Sequence, residues 1–244
     1  MLIVKLYTMG LDDYFDKIFV INLKQDTHRR ESFNNIAKLY NFKFSFIEAV
    51  DKNDLDLVAL KSNKKIAFKG NQFYCNKKCS CKGSGHELSS AEVACQLSHL
   101  KVWEIIVKNR YFRSLIIEDD INFVDNFNEK FNSALNNFPK KWNFIYFGKL
   151  KKINSSKEII KIKEGFAGTH MYAVSLEGAE RAINNLFPLR AAADGYLSRF
   201  LISRKWGSAK LKKCYSLVND LGLNGSQDGD FSSTISETSE EIYD

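Results

Sequence analysis

Three consecutive carboxylates, Glu118, Asp119 and Asp120, form the strongest candidate for chemistry in this sequence. They directly follow the short apolar run at residues 115–117, which predicts a buried strand that ends in acid. Carboxylates this close repel one another unless a cation or a hydrogen-bond donor shares their charge. Mg²⁺ and Mn²⁺ suit such a site because they bind one or two protein carboxylates together with substrate phosphates. A solvated acidic turn is the alternative interpretation.

A second candidate site is the cysteine-rich loop at residues 70–86. Its potential ligands are Cys75, Cys79, Cys81 and His86. Thiolates and imidazole bind structural Zn²⁺ in a reducing compartment. The spacing matches none of the common zinc patterns, so a basic loop with free thiols is the alternative. Cys95 and Cys214 lie in apolar segments and are predicted to be core residues.

Alternating strands and helices are predicted to position the acidic run. Residues 18–23 and 42–47 are predicted strands, and an amphipathic helix between them spans about residues 28–40. A β-α-β opening of this kind typically begins a nucleotide-binding α/β sheet. The opening lacks a Gly-rich phosphate loop, which excludes a P-loop and a dinucleotide fingerprint.

A second helix leads directly into the acidic run. Ser89 and Glu92 form a capping box, which predicts a helix that continues to about residue 109. His99 lies mid-helix and is interpreted as a structural histidine bonded to a backbone carbonyl. The remaining pattern predicts helices at 126–138 and 176–186, strands at 142–148, 159–162, 168–175 and 210–217, and a helix start near residue 194.

Composition predicts one domain, residues 1–224, followed by an acidic mobile tail, residues 225–244. The tail has six acids and no Lys or Arg, so its removal raises the net charge from +7 to +13. A basic body suits anionic partners such as nucleotide phosphates or anionic lipid. No run approaches the length of a transmembrane helix, and the amino terminus is unlike a secretory signal, so a cytosolic location is expected.

Taken together, the segments resemble glycosyltransferase family 25, the bacterial lipopolysaccharide and lipooligosaccharide galactosyltransferase group. The matching pieces occur in the family's order over about residues 16–200. They are residues 18–23 with Arg30, 95–99 (Cys-Gln-Leu-Ser-His), 116–120 (Ile-Ile-Glu-Asp-Asp), 168–172 (Gly-Thr-His-Met-Tyr) and Asp194. The resemblance implies an α/β fold of GT-A type, a Rossmann-like single domain with a mostly parallel central sheet.

The resemblance also implies an inverting, metal-dependent transfer of a hexose, usually galactose from UDP-galactose, to a lipid-linked saccharide. Mn²⁺ or Mg²⁺ would stabilise the charge that grows on the leaving UDP. Asp120 is then the first metal ligand, Asp119 shares or supports the ion, and His170 completes the site. A hydrogen-bonded strand histidine is the alternative interpretation of His170.

Roles for the other candidate residues follow from the same resemblance. Glu118 is expected to contact the donor ribose or a metal-bound water. Asn22, Leu23 and Arg30 are expected to contribute to the donor site, although Arg30 could also lie on a helix surface. An inverting enzyme needs a base on the acceptor side, and Asp194 is the candidate, with a helix cap as its alternative.

Two other classes of function stay open at this point. A metal-dependent phosphotransferase or nuclease would use the same acidic run. A zinc or nucleic-acid-binding module would use the cysteine-rich loop and the basic body, but it leaves residues 118–120 without a role. We therefore expect no nucleic-acid partner.

A basic patch with one aromatic residue lies near the end of the predicted domain. Its members are Arg204, Lys205, Trp206, Lys210, Lys212 and Lys213. Basic side chains near an anionic surface each contribute about 1 kcal/mol of attraction. With a membrane-anchored acceptor, this patch predicts peripheral contact with anionic lipid at the cytosolic face of the inner membrane.

Overall fold

A central sheet carries the acidic run. The structure is a computed structural model that describes residues 9–66, 88–150, 152–163, 168–202 and 211–225. The strands are β1 (Lys17–Asn22), β2 (Ser45–Glu48), β3 (Arg113–Glu118), β4 (Ile121–Phe123), β5 (Phe144–Tyr146), β6 (Ile159–Lys161), β7 (Met171–Ser175), β8 (Cys214–Leu217) and β9 (Gly222–Asn224). The sheet has seven strands in the order β2-β1-β3-β7-β5-β8-β6.

The strand directions confirm the predicted mostly parallel α/β fold. β1 pairs in parallel with both β2 and β3, and β5 pairs in parallel with β8. β7 and β6 run antiparallel to their neighbours. Five of the seven strands therefore share one direction, and their carboxyl ends meet at one edge of the sheet.

Helices cover both faces of this sheet and form a single three-layered domain. They are α1 (Leu11–Tyr14), α2 (Thr27–Tyr40), α3 (Leu57–Ser62), α4 (Ser90–Asn109), α5 (Phe127–Leu135), α6 (Leu176–Asn184) and α7 (Ala193–Gly195), with a 3-10 turn at Lys52–Asp54 and a π-helical segment at Tyr196–Ile202. Leu115 and Ile117 of β3 pack in the core that contains Phe33 of α2, whereas Ile116 packs in the core that contains Trp103 of α4. β3 is therefore apolar on both faces because helices cover both.

The capping box predicted for the long helix is confirmed and fixes the start of α4. The Ser89 hydroxyl accepts the N–H of Glu92 at 3.2 Å, and the Glu92 carboxylate accepts the N–H of Ser89 at 2.9 Å. The helix ends at Arg110, whose φ of 57° is left-handed and stops further helical pairing. Three residues later the chain enters β3, which ends in the acidic run.

A two-stranded ribbon that the sequence did not predict follows the acidic run. β4 pairs antiparallel with β9, and the N–H of Gly225 donates to the carbonyl of Asp120 at 2.7 Å. Buried Lys149 anchors the approach to β9, because its ammonium donates to the carbonyls of Leu217 and Val218 and pairs with the Asp220 carboxylate. The ribbon therefore fixes the main chain immediately beyond Glu118 and Asp119.

Several predicted features lie outside the described residues. They are the cysteine-rich loop with Cys75, Cys79, Cys81 and His86, the basic residues Arg204, Lys205, Trp206 and Lys210, and the tail beyond residue 225. In the described ranges, no helix combines the length and the apolar character that a membrane span requires.

Candidate active site

The acidic run lies at the carboxyl edge of β3, between the end of β1 and the start of β7. Asn22 is the last residue of β1, which pairs in parallel with β3. β7 is antiparallel, so the residues that precede it reach the same edge, and the N–H of Glu118 donates to the carbonyl of His170 at 2.9 Å. Four residues named from sequence, Asn22, Glu118, Asp119 and His170, thus meet at one edge.

Asp119 is held on the α2 side of the sheet by two donors. The amide of Asn22 donates to one carboxylate oxygen at 2.7 Å, and the guanidinium of Arg29 donates to the other at 3.1 Å. Burial nevertheless raises the pKa of Asp119 to about 6, and the charge of neighbouring Asp120 adds to this rise. An added cation at this edge would therefore be favourable.

Arg29 is the cation that the described residues supply to the acidic run. Its Nε lies 3.1 Å from Asp26, and its guanidinium lies 3.1 Å from Asp119 and 4.0 Å from Asp120. Burial lowers the pKa of Arg29, but the charges of these carboxylates, Asp119 first, outweigh burial and hold it above its ordinary value. Three carboxylates around one guanidinium leave a net negative charge.

Sequence reasoning named Arg30 and missed Arg29. Arg30 instead donates from Nε to the Asn22 side-chain oxygen at 3.0 Å, and its guanidinium lies 4.4 Å from the centre of the Phe46 ring. A signal for Arg29 was present, because it precedes buried Phe33 by four residues and therefore lies on the buried stripe of α2.

Replacing Arg29 tests whether the acidic run depends on this cation. We expect Arg29→Met to lower the free energy of unfolding by about 3 kcal/mol, because it leaves buried carboxylates without their shared partner. Urea unfolding measures the change. Arg30→Met is the matched control from the same turn of α2 and should cost less, since Arg30 is half-buried and bonds to a neutral amide. Equal stability of Arg29→Met and the unsubstituted protein would contradict this role.

Glu118 is held on the opposite side, by α4 and the segment before β7. Its Oε1 accepts from Nε2 of His99 at 3.2 Å and from the hydroxyl of Thr169. Burial acts to raise the pKa of Glu118, but the hydrogen bond and charge interaction with His99, followed by the bond from Thr169, outweigh burial and hold it below its ordinary value. Glu118 is therefore an ionised acceptor at the edge of the site.

The interpretation of His99 as bonded to a backbone carbonyl is wrong. Both ring nitrogens contact side chains: Nδ1 lies 2.8 Å from the hydroxyl of Tyr172, and Nε2 contacts Glu118. The sequence did hold a signal that His99 faces the core. Trp103 follows His99 by one helical turn on the buried side of α4, and it also bonds to Tyr172. The sequence alone does not show that the partner of His99 is Tyr172 of β7.

A thiol lies beside this histidine. The ligand atoms of Cys95, His99 and Glu118 lie within 4.8 Å of one another. Burial, with the charge of Glu118, raises the pKa of Cys95 well above its ordinary value. Because both nitrogens of His99 are also engaged, this trio does not fit a soft-metal site. Cys95 is half-buried and Cys214 is buried, so Cys214 is the one that fits the predicted core position.

His170 is a buried histidine whose carbonyl bonds to the main chain of Glu118. It is 1% exposed, and its buried Nδ1 has no hydrogen-bond partner within the part of the chain that the structure describes. Gly148 packs directly against the ring, and a Cβ at that position would overlap Nε2 of His170. The ring is thus fixed while Nδ1 has no internal bond, which the alternative of a hydrogen-bonded strand histidine does not explain.

Asp194 lies close to the same region. Its side chain accepts the N–H of Gly168 at 3.3 Å and the N–H of the following Gly195. Ala192, not Asp194, is the residue at the cap of α7. Gly168 precedes Thr169, which bonds to Glu118, so one short segment connects Asp194 to the acidic edge. Leu23 is half-buried, and its carbonyl accepts the N–H of Asp26 at the start of α2.

The donor set at this edge fits a hard divalent cation. Asp119 and Asp120 supply carboxylate oxygens, which Mg²⁺ and Mn²⁺ prefer. Nδ1 of His170 is a donor of a type that Mn²⁺ accepts, but among the described residues it does not cluster with these two carboxylates within 4.8 Å. Asp120 is 9% exposed and so can be reached from solvent while staying oriented.

Comparison with known proteins places most of the chain in a family. Residues 15–197 match the family described as Glycosyltransferase family 25 (LPS biosynthesis protein). This match covers most of the chain, and the protein therefore belongs to glycosyltransferase family 25.

Its curated relatives include animal proteins that are much longer. It is 31% identical over 193 residues to mouse "Inactive glycosyltransferase 25 family member 3", covering 73% of this chain and 30% of that protein. It is 29% identical over 196 residues to human "Procollagen galactosyltransferase 2", covering 75% and 30%. The chain thus spans about three-tenths of the length of these relatives.

One solved structure is similar to this chain at a low level. It is described as a glycosyltransferase involved in the glycosylation of the major capsid of PBCV-1. The alignment covers 84% of this chain and 81% of that chain, with a TM-score of 0.44 and 9% identity.

Proposed function

We propose that this protein is an inverting glycosyltransferase that moves a hexose, most specifically galactose from UDP-galactose, onto a saccharide acceptor. The observation that carries the proposal is the division of the acidic run between two helices. Asp119 is fixed by Arg29 from α2, Glu118 is fixed by His99 from α4, and Asp120 lies 4.0 Å from the Arg29 guanidinium. Some relatives are named inactive. The support for activity is therefore the acidic run and its two partners, Arg29 and His99.

Asp120 and Asp119, with His170, would hold Mn²⁺ or Mg²⁺, which supplies positive charge beside the leaving diphosphate. The Arg29 guanidinium keeps Asp119 oriented, and its charge offsets the repulsion between the carboxylates. Asn22, with Arg30 bonded to it, forms the wall on the β1 side of the donor site.

Glu118 and Asp194 would act on hydroxyl groups. Glu118, ionised and fixed by His99, accepts a hydrogen bond from the donor ribose or from a metal-bound water. Asp194 accepts the proton of the acceptor hydroxyl as the new glycosidic bond forms and the bond to UDP breaks. Its support is its position beside the segment that ends in Thr169.

We propose a lipid-linked saccharide, of the lipopolysaccharide or lipooligosaccharide core, as the acceptor. The family description names LPS biosynthesis, and Lys212 with Lys213 belongs to the basic patch expected at an anionic surface. Such an acceptor goes with peripheral attachment at the cytosolic face of the inner membrane. The name of the human relative favours a procollagen-type peptide as the second acceptor class.

The two other classes of function have less support. A phosphotransferase or nuclease would use the same acidic run, and a zinc or nucleic-acid-binding module would use the basic body. Neither is suggested by the match to family 25. The cysteine-rich loop keeps both of its interpretations, a structural Zn²⁺ site and a basic loop with free thiols.

A donor and acceptor screen tests the proposal. UDP release is measured from UDP-galactose and UDP-glucose, with and without Mn²⁺, with either lipooligosaccharide or a collagen peptide as acceptor. We expect Mn²⁺-dependent release that is fastest with UDP-galactose and lipooligosaccharide. Single-stranded DNA serves as the competitor and should not inhibit at moderate salt. Mn²⁺-dependent cleavage of DNA with no turnover of either UDP-sugar would contradict the proposal.

A further inference from the structure

A chain of four side chains runs from the core to the acidic edge. Trp103, Tyr172 and His99 are 0%, 0% and 1% exposed, and the Glu118 side chain at the end of the chain is 25% exposed. Nε1 of Trp103 lies 3.1 Å from the Tyr172 hydroxyl, which lies 2.8 Å from Nδ1 of His99. Nε2 of His99 lies 3.2 Å from Oε1 of Glu118.

The chemistry of these groups gives the chain one direction. An indole N–H can only donate, so Trp103 donates to the oxygen of Tyr172. The Tyr172 hydroxyl accepts from Trp103 and still carries its own proton, which it donates to Nδ1 of His99 at 2.8 Å. Nε2 then carries the ring proton, and it donates to the carboxylate of Glu118, which can only accept. Every donor in the chain thereby finds an acceptor.

The far end of the chain leaves one carboxylate oxygen for a ligand. The hydrogen bonds from His99 and Thr169 both end on Oε1 of Glu118. A quarter of the side chain stays exposed, and neither of these two bonds uses Oε2, which is therefore the oxygen left for a ligand. An ionised carboxylate accepts only, and its ligand must therefore present a donor such as a hydroxyl group or a bound water.

We infer that His99 is a positioning residue for donor binding, and that Tyr172 and Trp103 fix its tautomer so that Nε2–H always points at Glu118. His99 touches no substrate in this arrangement and acts through Glu118. The part of this inference that concerns donor binding rests on the proposed function. The part that concerns the tautomer does not.

Substitutions at His99 distinguish positioning from simple core packing. His99→Gln can place an amide N–H near the Nε2 position, whereas His99→Asn reaches only the Nδ1 position. We expect His99→Asn to weaken the affinity for UDP in Mn²⁺ about tenfold, since a hydrogen bond to a charged group is lost. His99→Gln should recover most of that loss. Calorimetric titration of each folded variant measures both.

A double-mutant cycle with Glu118 supplies the decisive comparison. In a Glu118→Gln background, His99→Asn should cause little further loss of UDP affinity, because its effect passes through Glu118. Ser98→Ala is the matched control, since this neighbouring hydroxyl bonds only to the main chain at Val50 and Ala94, and UDP affinity should not change. Equal tenfold losses in both backgrounds, or no rescue by His99→Gln, would overturn the positioning role.

The tautomer is measured independently of any ligand. Nitrogen NMR of ¹⁵N-histidine-labelled protein, with His99 assigned by the His99→Gln spectrum, should show a protonated Nε2 and an unprotonated Nδ1, and a protonated Nδ1 would overturn the inference. An unprotonated Nε2 would overturn the inference, because it would face a carboxylate oxygen with no hydrogen between them. If the unsubstituted protein fails to bind UDP, the proposed function fails while the NMR result still decides the tautomer.

Discussion

Asp120→Asn is expected to abolish sugar transfer and to weaken UDP binding in Mn²⁺. The substitution keeps the shape of the side chain but removes the charge that makes this residue the first choice as metal ligand. Loss of a direct ligand costs several kcal/mol of transition-state stabilisation, which corresponds to a rate decrease of about a thousandfold or more. Single-turnover assays with UDP-galactose and calorimetry with UDP measure the two effects.

The control for Asp120→Asn is Asp125→Asn, a change of the same type at an exposed acid five residues later. It should leave both transfer and UDP affinity unchanged. The hydrogen bond from Gly225 reaches the main-chain carbonyl of Asp120 and does not involve the side chain. Asp120→Asn should therefore keep the native far-UV circular dichroism. Full turnover by a folded Asp120→Asn protein would show that the metal ligand is another residue.

Asp194→Asn is expected to lower kcat strongly while the affinity for UDP-galactose stays nearly the same. A general base contributes a factor of about 10² to 10⁴ in rate, and it contributes to the chemical step more than to donor binding. Asp194 is the only acid between residues 181 and 219. Asn keeps one oxygen that can accept the N–H of Gly168, so the local backbone should not move far.

Glu180→Gln is the matched control for Asp194→Asn, because Glu180 is an exposed acid on α6. It should transfer sugar at the unsubstituted rate. If Asp194→Asn lowers the melting temperature while its folded fraction transfers sugar normally, the carboxylate only holds the Gly168 segment, and the base is a different group.

The fold was predictable from sequence wherever a local pattern determines it. The apolar run of β1, the amphipathic stripe of α2 and the capping box of α4 each depend on residues within one turn or one strand. The strand predicted at residues 42–47 is shorter, since β2 begins at Ser45. The β4–β9 ribbon was missed because three-residue strands carry no periodicity, and their pairing joins residues about a hundred positions apart.

The candidate site was predictable in outline but not in its contacts. The acidic run and its place at a strand end follow directly from residues 115–120. Arg29 was missed and His99 was given the wrong partner, because the partners of both are set by the packing of α2 and α4 against β3 and β7, which no local pattern encodes. The two residues lie on opposite faces of the sheet, and only the assembled fold brings them to one carboxylate cluster.

The central claim is that the acidic edge of β3 binds a divalent cation together with a UDP-sugar. Anomalous diffraction from crystals of the full chain grown with Mn²⁺ and UDP tests it most directly. The account predicts one strong manganese peak at about 2 Å from a carboxylate oxygen of Asp120, with the diphosphate on its other side. A well-ordered UDP bound away from this edge, or a manganese peak that does not contact Asp120, would contradict it.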